Sequence, residues 1–288
     1  MSIFYNFGPD IAAAVNGAID ALVVAYGDAF ESFSDGVLVV LVMLERILRD
    51  VPPLFVLVAL GGISYLATRR LRLSLLLVGA AYLVGCLGVW QQAMQTVAIM
   101  SVAVGVSVIL GLPVGVLMAR APRFRAMVLP LLDLMQTIPS FVYLIPAAML
   151  FGLGKVPAIL ATVIYATPPL VRLTDLGIRL VDAEVLEAAR AFGATRWQML
   201  VGVQLPLAMP NIMQGINQTL MMALAMVVIA SMIGARGLGE AVLLGLQRND
   251  SGQGAIGGIA IVALAIIFDR ITQSLGLRLQ SHRSRKRS

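Results

Sequence analysis

The chain has 288 residues, of which 59% are apolar and only 12% charged, with a net charge of +6 and a mean hydropathy of +0.93. A soluble domain is nearer a quarter charged, and a chain of this size has no core large enough to hide so much apolar surface from water. Lipid is therefore the expected solvent, and the basic residues, set mostly at the ends of apolar runs rather than on one patch, argue against nucleic acid as a partner.

Residues 1–50 come first and differ from the rest. The start, Met1 to Asp10, has no Lys or Arg and lacks the positive opening of a cleavable signal peptide. Ile11, Val15, Ile19, Leu22, Val23 and Tyr26 recur at helical spacing. One or two amphipathic helices on the outer membrane face are expected. The run Val37–Leu44 is too short to span, and Glu45, Arg46, Arg49 and Asp50 stop it. The alternative, a further span near 36–60, puts four charges at mid-membrane at about 2.5–3.5 kcal/mol each.

Seven spans of about the bilayer-crossing length follow, at 51–67, 71–90, 94–118, 128–151, 156–173, 207–233 and 255–275. The predicted fold class is thus an all-α polytopic membrane protein. It has a transmembrane domain over 51–275, the amphipathic segment 1–50 before it and a basic tail, 276–288, after it. With the N-terminus outside and the C-terminus inside, all but five of the 21 Lys and Arg residues fall on the cytoplasmic side. The exceptions are Arg46, Arg49, Lys155, Arg236 and Arg248, and the positive-inside rule favours this orientation. Cys86, the single cysteine, lies in an apolar run and reads as a packing residue.

Within the spans, polar residues are the default pathway candidates. The fourth span carries Asp133, Gln136, Thr137, Ser140 and Tyr143; the sixth carries Asn217, Gln218 and Thr219. Gln136 and Ser140 are four apart and are expected on one helical face. For Gln136 and Asn217 a place on the pathway and a helix–helix hydrogen bond are equally consistent with the residues. Pro130, Pro139 and Pro146 are expected to kink or break the fourth span. Gly111-x-x-x-Gly115 and Gly254-x-x-x-Gly258 permit close helix contact.

The segment 174–206 is polar yet neither low-complexity nor Gly/Ser-rich. Asp182–Arg190 is rich in helix formers with an acid at its start, and Gly193 is placed to end that helix. Thr195 is placed to cap a second helix, Arg196–Leu205, stopping at Pro206. A folded elbow between two spans implies a docking partner, since a plain connection is shorter.

The elbow reads Glu187-Ala188-Ala189, three residues, Gly193, nine residues, then Val203-Gln204-Leu205-Pro206. This resembles the EAA loop of bacterial ABC importer permeases, with Val203 standing for the pattern's Ile. Asp133 to Pro146, Ala189 to Ala194, Asn217 to Val228 and Ile233 to Gly239 further resemble the glycine betaine/proline/choline permeases. The resemblance implies a homodimer in the bacterial inner membrane, working with two cytoplasmic ATPase subunits and a separate extracytoplasmic substrate-binding protein. It implies that the elbow couples to the ATPase. Glu187 and Arg190 make polar contacts there, Ala188, Ala189 and Gly193 allow close approach, and Leu205-Pro206 ends the motif. Phe192 and Trp197 are either anchors on the ATPase or packed against the permease itself. The implied cargo is glycine betaine, proline or a choline-like osmoprotectant; an amino acid is the alternative, and a channel or ion-coupled carrier without ATPase is the alternative of another class.

No cofactor is expected in this chain, and ATP is expected on the partner subunit. Gly152-Leu153-Gly154-Lys155-Val156 lacks the leading Gly and the Ser/Thr of a phosphate-binding loop and reads as a tight turn. His282 is the only histidine, so no metal set or acid/base cluster points to an enzyme. The tail basics Arg283 to Arg287 either touch anionic membrane lipid or serve only orientation.

Overall fold

The computed structural model describes residues 7–284, with side chains through residue 278. It is helical throughout these residues. Helix α1 runs Gly8–Asp50 with a kink at Tyr26. Then come α2 (Pro53–Thr68), α3 (Leu71–Cys86), α4 (Trp90–Arg120), α5 (Pro122–Thr137) and α6 (Leu144–Phe151). The second half contains α7 (Lys155–Arg179), α8 (Ala183–Ala191), α9 (Arg196–Met199), α10 (Leu205–Ala230), α11 (Leu238–Gln247) and α12 (Ser251–Ser284).

Among the described residues, four helical stretches are long and apolar enough to cross a membrane: Trp90–Arg120, Lys155–Arg179, Arg196–Ile233 and Ser251–Arg278. They contain the expected spans three, five, six and seven. Two bent pairs raise the number to as many as six. One is α1 with α2, bent by 103°, and the other is α5 with the segment Ser140–Phe151, bent by 106°. The expected first span is therefore one arm of a bent pair and the fourth is a broken span. The expected second span stops at Cys86 after 16 residues, about 24 Å at 1.5 Å per residue, short of a hydrocarbon core of about 30 Å. Cys86 itself is exposed rather than packed.

The fourth span breaks at one of its three prolines, Pro139, while Pro146 lies within α6. Ile138, the residue before Pro139, is extended (ψ 128°), as a following proline imposes. One turn of 3₁₀ helix, Ser140–Tyr143, then leads into α6. Pro130, by contrast, stays inside α5.

At the centre, α7 lies between α4 and α10. Small residues set the distances. A Cβ on Gly115 of α4 would stand 2.6 Å from Thr174 Cβ and 2.8 Å from the Val171 carbonyl oxygen of α7. On the other side, a Cβ on Gly177 would meet Asn211 Cβ at 2.8 Å. The pair Gly111/Gly115 thus carries the close contact its spacing suggested, whereas a Cβ on Gly254 or Gly258 would meet nothing within 4 Å. Apolar packing among α4, α7 and α10, with Ile99, Ile159 and Met226 fully buried, completes this central unit.

The N-terminal helix is tied into it. Leu41 is fully buried in the same core, and Val37, Leu38, Leu44 and Leu48 pack around it. Glu45 is buried and accepts from Lys155 Nζ at 2.5 Å and Arg49 Nη1 at 3.3 Å. Arg49 Nε also donates to Gln91 at the start of α4. Charges read from sequence as a stop signal therefore join α1 to the first turns of α4 and α7. Val15, Leu22 and Val24, near or before the kink, remain exposed. Of the tail, the side chains of His282, Arg283, Arg285, Lys286 and Arg287 lie outside the described residues.

Candidate functional site

The elbow is built by local signals. Asp182 Oδ1 accepts from the Glu184 amide at 3.0 Å, capping α8 at its N-terminus. Glu184 in the first turn and Arg190 in the last complement the helix dipole. At the other end Gly193 takes φ +78°, its amide donates to Arg190 O, and the Ala194 amide reaches back to Ala189 O. That pair of bonds is the Schellman ending, in which a left-handed residue lets the chain turn back on the last carbonyls. Thr195 then opens α9 with a capping box: its Oγ1 accepts from the Gln198 amide, and Gln198 Oε1 accepts from the Thr195 amide.

The second elbow helix does not stop at Pro206. One π-helical turn, Leu200–Gln204, carries the chain from α9 straight into α10. A proline lacks an amide proton and crowds the carbonyl four residues back, and the wider π turn accommodates both faults without ending the helix.

The expected coupling residues separate into two groups. Glu187, Ala188, Arg190, Phe192 and Gly193 are exposed and Ala189 is half-buried. Phe192 is 91% exposed and Trp197 67%, so neither aromatic is buried within its own chain. No residue of α8 is buried. Leu205 and Pro206 are half-buried instead, and Leu205 packs on Leu170, Ile178, Ala208 and Ile212 where α7 meets α10. The motif's end thus roots the elbow while its start projects from it.

The polar span residues also divide. Gln136 lies exposed near the end of α5, and Ser140 is half-buried beyond the break, so the two share no helical face. The chain is extended between them, which voids the four-residue argument. Tyr143 donates to Met135 O at 2.7 Å and folds the 3₁₀ turn back onto α5. Asn217 Nδ2 donates to Asp269 Oδ1 at 3.0 Å, and Asn217 Oδ1 accepts from Thr272 Oγ1. Asn217 is therefore engaged in joining α10 to α12. Gln218, on a different face, is exposed together with Gln214 one turn earlier. Gln214, Asn217, Thr272 and Gln273 line a cleft of about 290 Å³ between α10 and α12.

Gly152–Lys155 is a turn, with φ +75° at Gly152 and +127° at Gly154. The Lys155 ammonium is spent on Glu45. Among the described residues no group of three His, Cys, Asp or Glu side chains is placed to hold a metal ion.

Two buried carboxylates, Glu45 and Asp175, went unrecognised in the sequence. Asp175 is 3% exposed and sits in α7 one turn before Arg179. Its spacing from Arg172 and Arg179, three and four residues, is the one signal that pointed to it.

Residues 111–281 match the family model described as binding-protein-dependent transport system inner membrane component. The chain belongs to this family. The matched region takes in the elbow, the broken-span helices α5 and α6, and α7 through most of α12. The glycine betaine/proline betaine transport system permease protein ProW of Salmonella typhimurium is 55% identical over 203 residues, 70% of this chain. The chain spans only 57% of the length of that relative. The glycine betaine/carnitine transport permease protein GbuB of Listeria monocytogenes is 45% identical, over 80% of this chain and 83% of its own. The glycine betaine transport system permease protein OpuAB of Bacillus subtilis is 39% identical, over 94% and 96%. Among solved structures, the MetNI methionine ABC transporter in inward-facing conformations superposes with a TM-score of 0.55 at 24% identity, covering 65% of this chain and 92% of that one. That likeness is one of fold, and it agrees with the expected all-α importer-permease architecture. Membership of the family makes this chain a multi-pass inner-membrane transport component.

Proposed function

We propose that this chain is the permease subunit of an ATP-driven importer for glycine betaine and related osmoprotectants such as proline betaine, choline or proline. The elbow docks on a separate ATPase subunit, which binds and hydrolyses ATP, and the spans form the pathway. The observation that carries this reading is the elbow itself: two capped helices with no buried residue in the first, presenting Phe192 and Trp197 to the outside. A large exposed aromatic pair at a bend is an anchor waiting for a pocket. Glu187 and Arg190 flank it with polar contacts, and Ala188 and Gly193 let the partner approach closely. The substrate class is supported by what the similar permeases from Salmonella, Listeria and Bacillus are named for.

Two copies of the chain pair about a two-fold axis, each carrying one elbow for one of two ATPase subunits. A separate extracytoplasmic binding protein delivers the cargo. The N-terminus lies outside and the C-terminus inside, as the distribution of Lys and Arg favours. The amphipathic first half of α1 rests on the outer leaflet and the basic tail on anionic lipid at the inner face. Gln136, Ser140, Tyr143 and Gln218 remain the pathway candidates, and Asn217 contributes by holding α10 to α12. Alternating access follows from rigid short helices passing a rigid-body shift from the ATPase to the spans.

The test is reconstitution with the ATPase and the binding protein in liposomes. ATP-dependent uptake of radiolabelled glycine betaine is expected. Uptake that ignores ATP, or an assembly that hydrolyses ATP in response to an amino acid but not to glycine betaine, overturns the assignment.

A further inference from the structure

Helix α5 is held to the rest of the molecule in an unusual way. It has one buried residue, Leu132, packed on Met118 of α4 and Val171 of α7. Phe124, Val128, Leu129 and Met135 are half-buried against the same cluster, and two ion pairs to α7 add to these contacts. Arg125 Nε donates to Asp175 Oδ2 at 3.0 Å, and Arg172 donates to Asp133 Oδ1. Asp175 accepts a second arm on its other oxygen, from Arg179 Nε at 3.1 Å. Its side chain is 4% exposed, whereas Arg125 and Arg179 are 33% and 41% exposed.

The surroundings make this arrangement mechanical. Helix α7 packs closely on α4 and α10, where Gly115 and Gly177 bring the backbones together with no room for a Cβ. Helix α7 also ends at Arg179, one turn after Asp175, and residues 180–182 lead it into the elbow. Helix α5 leads instead into the break at Ile138–Pro139 and the 106° bend. A movement of the elbow therefore reaches α5 through this apolar patch and two ion pairs, of which, among the described residues, only Asp175 with Arg125 has a buried member. Apolar contacts can slide over one another, whereas the bond from Arg125 to Asp175 has a fixed length and direction, and parting it leaves a buried carboxylate with Arg179 alone to compensate its charge. Ionisable groups inside such a fold are costly and kept for a task.

We propose that Asp175 is the positioning residue that makes α5 follow the elbow, with Arg125 as its arm across the helices and Arg179 as its arm within α7. The inference rests on the proposed coupling of the elbow to an ATPase. It adds the joint by which that movement reaches the broken span.

The experiment uses the whole reconstituted complex and reads glycine betaine uptake per ATP hydrolysed, so that protein amount cancels. The wild-type complex tests the functional assignment by itself, before any variant is compared. Asp175→Asn is expected to lower uptake per ATP at least tenfold while the ATPase subunits still co-purify in the wild-type ratio. Arg125→Gln, which cuts only the arm between helices, should reproduce that loss, and Arg125→Lys should restore most of it. Arg179→Gln, which cuts the arm inside α7, should keep at least half. Wild-type uptake per ATP in Arg125→Gln overturns the proposal, as do equal losses in Arg125→Gln and Arg179→Gln. So does a parallel fall of uptake, hydrolysis and co-purification in Asp175→Asn, which marks a merely structural pair.

Discussion

Helices α7 and α8 follow one another with only residues 180–182 between them, and they meet opposite surroundings. Helix α7 carries buried residues along its length from Val156 to Ile178, is hemmed by Gly115 of α4 and Gly215 of α10, and holds a buried carboxylate. Helix α8 buries nothing, and its ordering comes from Asp182, Gly193 and the backbone bonds they support. One helix is specified by what packs on it and the other by how it starts and stops. A helix of nine residues is too short to be stable from propensity alone, so the caps and the flanking spans hold it. The apolar surface it leaves at Phe192 is therefore free for a partner. The difference predicts that permease stability should respond to changes in α7's neighbours and hardly at all to changes on the elbow, while docking of the ATPase should respond in the reverse order.

The largest effect on stability is expected from Gly115→Leu. The new side chain has to displace Thr174 and a backbone carbonyl, and overpacking of this kind costs about 3 kcal/mol. Melting of the purified permease in detergent should drop steeply, and an unchanged melting temperature would contradict the close packing of α4 on α7. Next comes Asn217→Ala, which cuts the α10–α12 bridge and leaves Asp269 with Gln273 as its remaining side-chain donor. The expected loss is about 1 kcal/mol, in the range for polar contacts between membrane helices. A smaller or zero loss, joined to lost uptake, would move Asn217 from packing to the pathway.

Gly193→Ala should cost about 1 kcal/mol, because an L side chain is strained in the left-handed region. No atom stands within 4 Å of its new Cβ, so strain is the whole effect in the isolated permease. Gly193→Asp adds volume and a charge that a close interface has to desolvate. Membrane insertion should stay intact while uptake and substrate-stimulated ATP hydrolysis disappear together. Normal uptake in Gly193→Asp would remove the elbow from the coupling route. The smallest effect on stability is expected from the double change Phe192→Ser, Trp197→Ser, within about 0.5 kcal/mol for exposed sites. A pull-down of the ATPase subunit should nonetheless fail, and full retention of the ATPase would mean that these rings anchor nothing.

Much of the elbow was legible because its determinants are contiguous. Asp182, Gly193 and Thr195 each act on an amide or carbonyl within five residues, so their pattern carries its own geometry. Membrane class was legible from composition, since bulk hydropathy needs no knowledge of neighbours. The break at Pro139 was legible for the same local reason. Gln136 and Ser140 nonetheless share no face, because the helix does not run unbroken across that proline.

Sequence alone thus determined a polytopic helical protein with a capped elbow, because hydropathy, proline geometry and capping act over a few residues. Tertiary structure alone decided which charges meet. Asp175 finds Arg125 across 50 positions, Asn217 finds Asp269 across 52, and Glu45 finds Lys155 across 110. A charge in a sequence reads the same whether it ends a span or joins two helices. Only the packing of α5, α7, α10 and α12 sets the distance and the exclusion of water that turn it from a boundary mark into a joint.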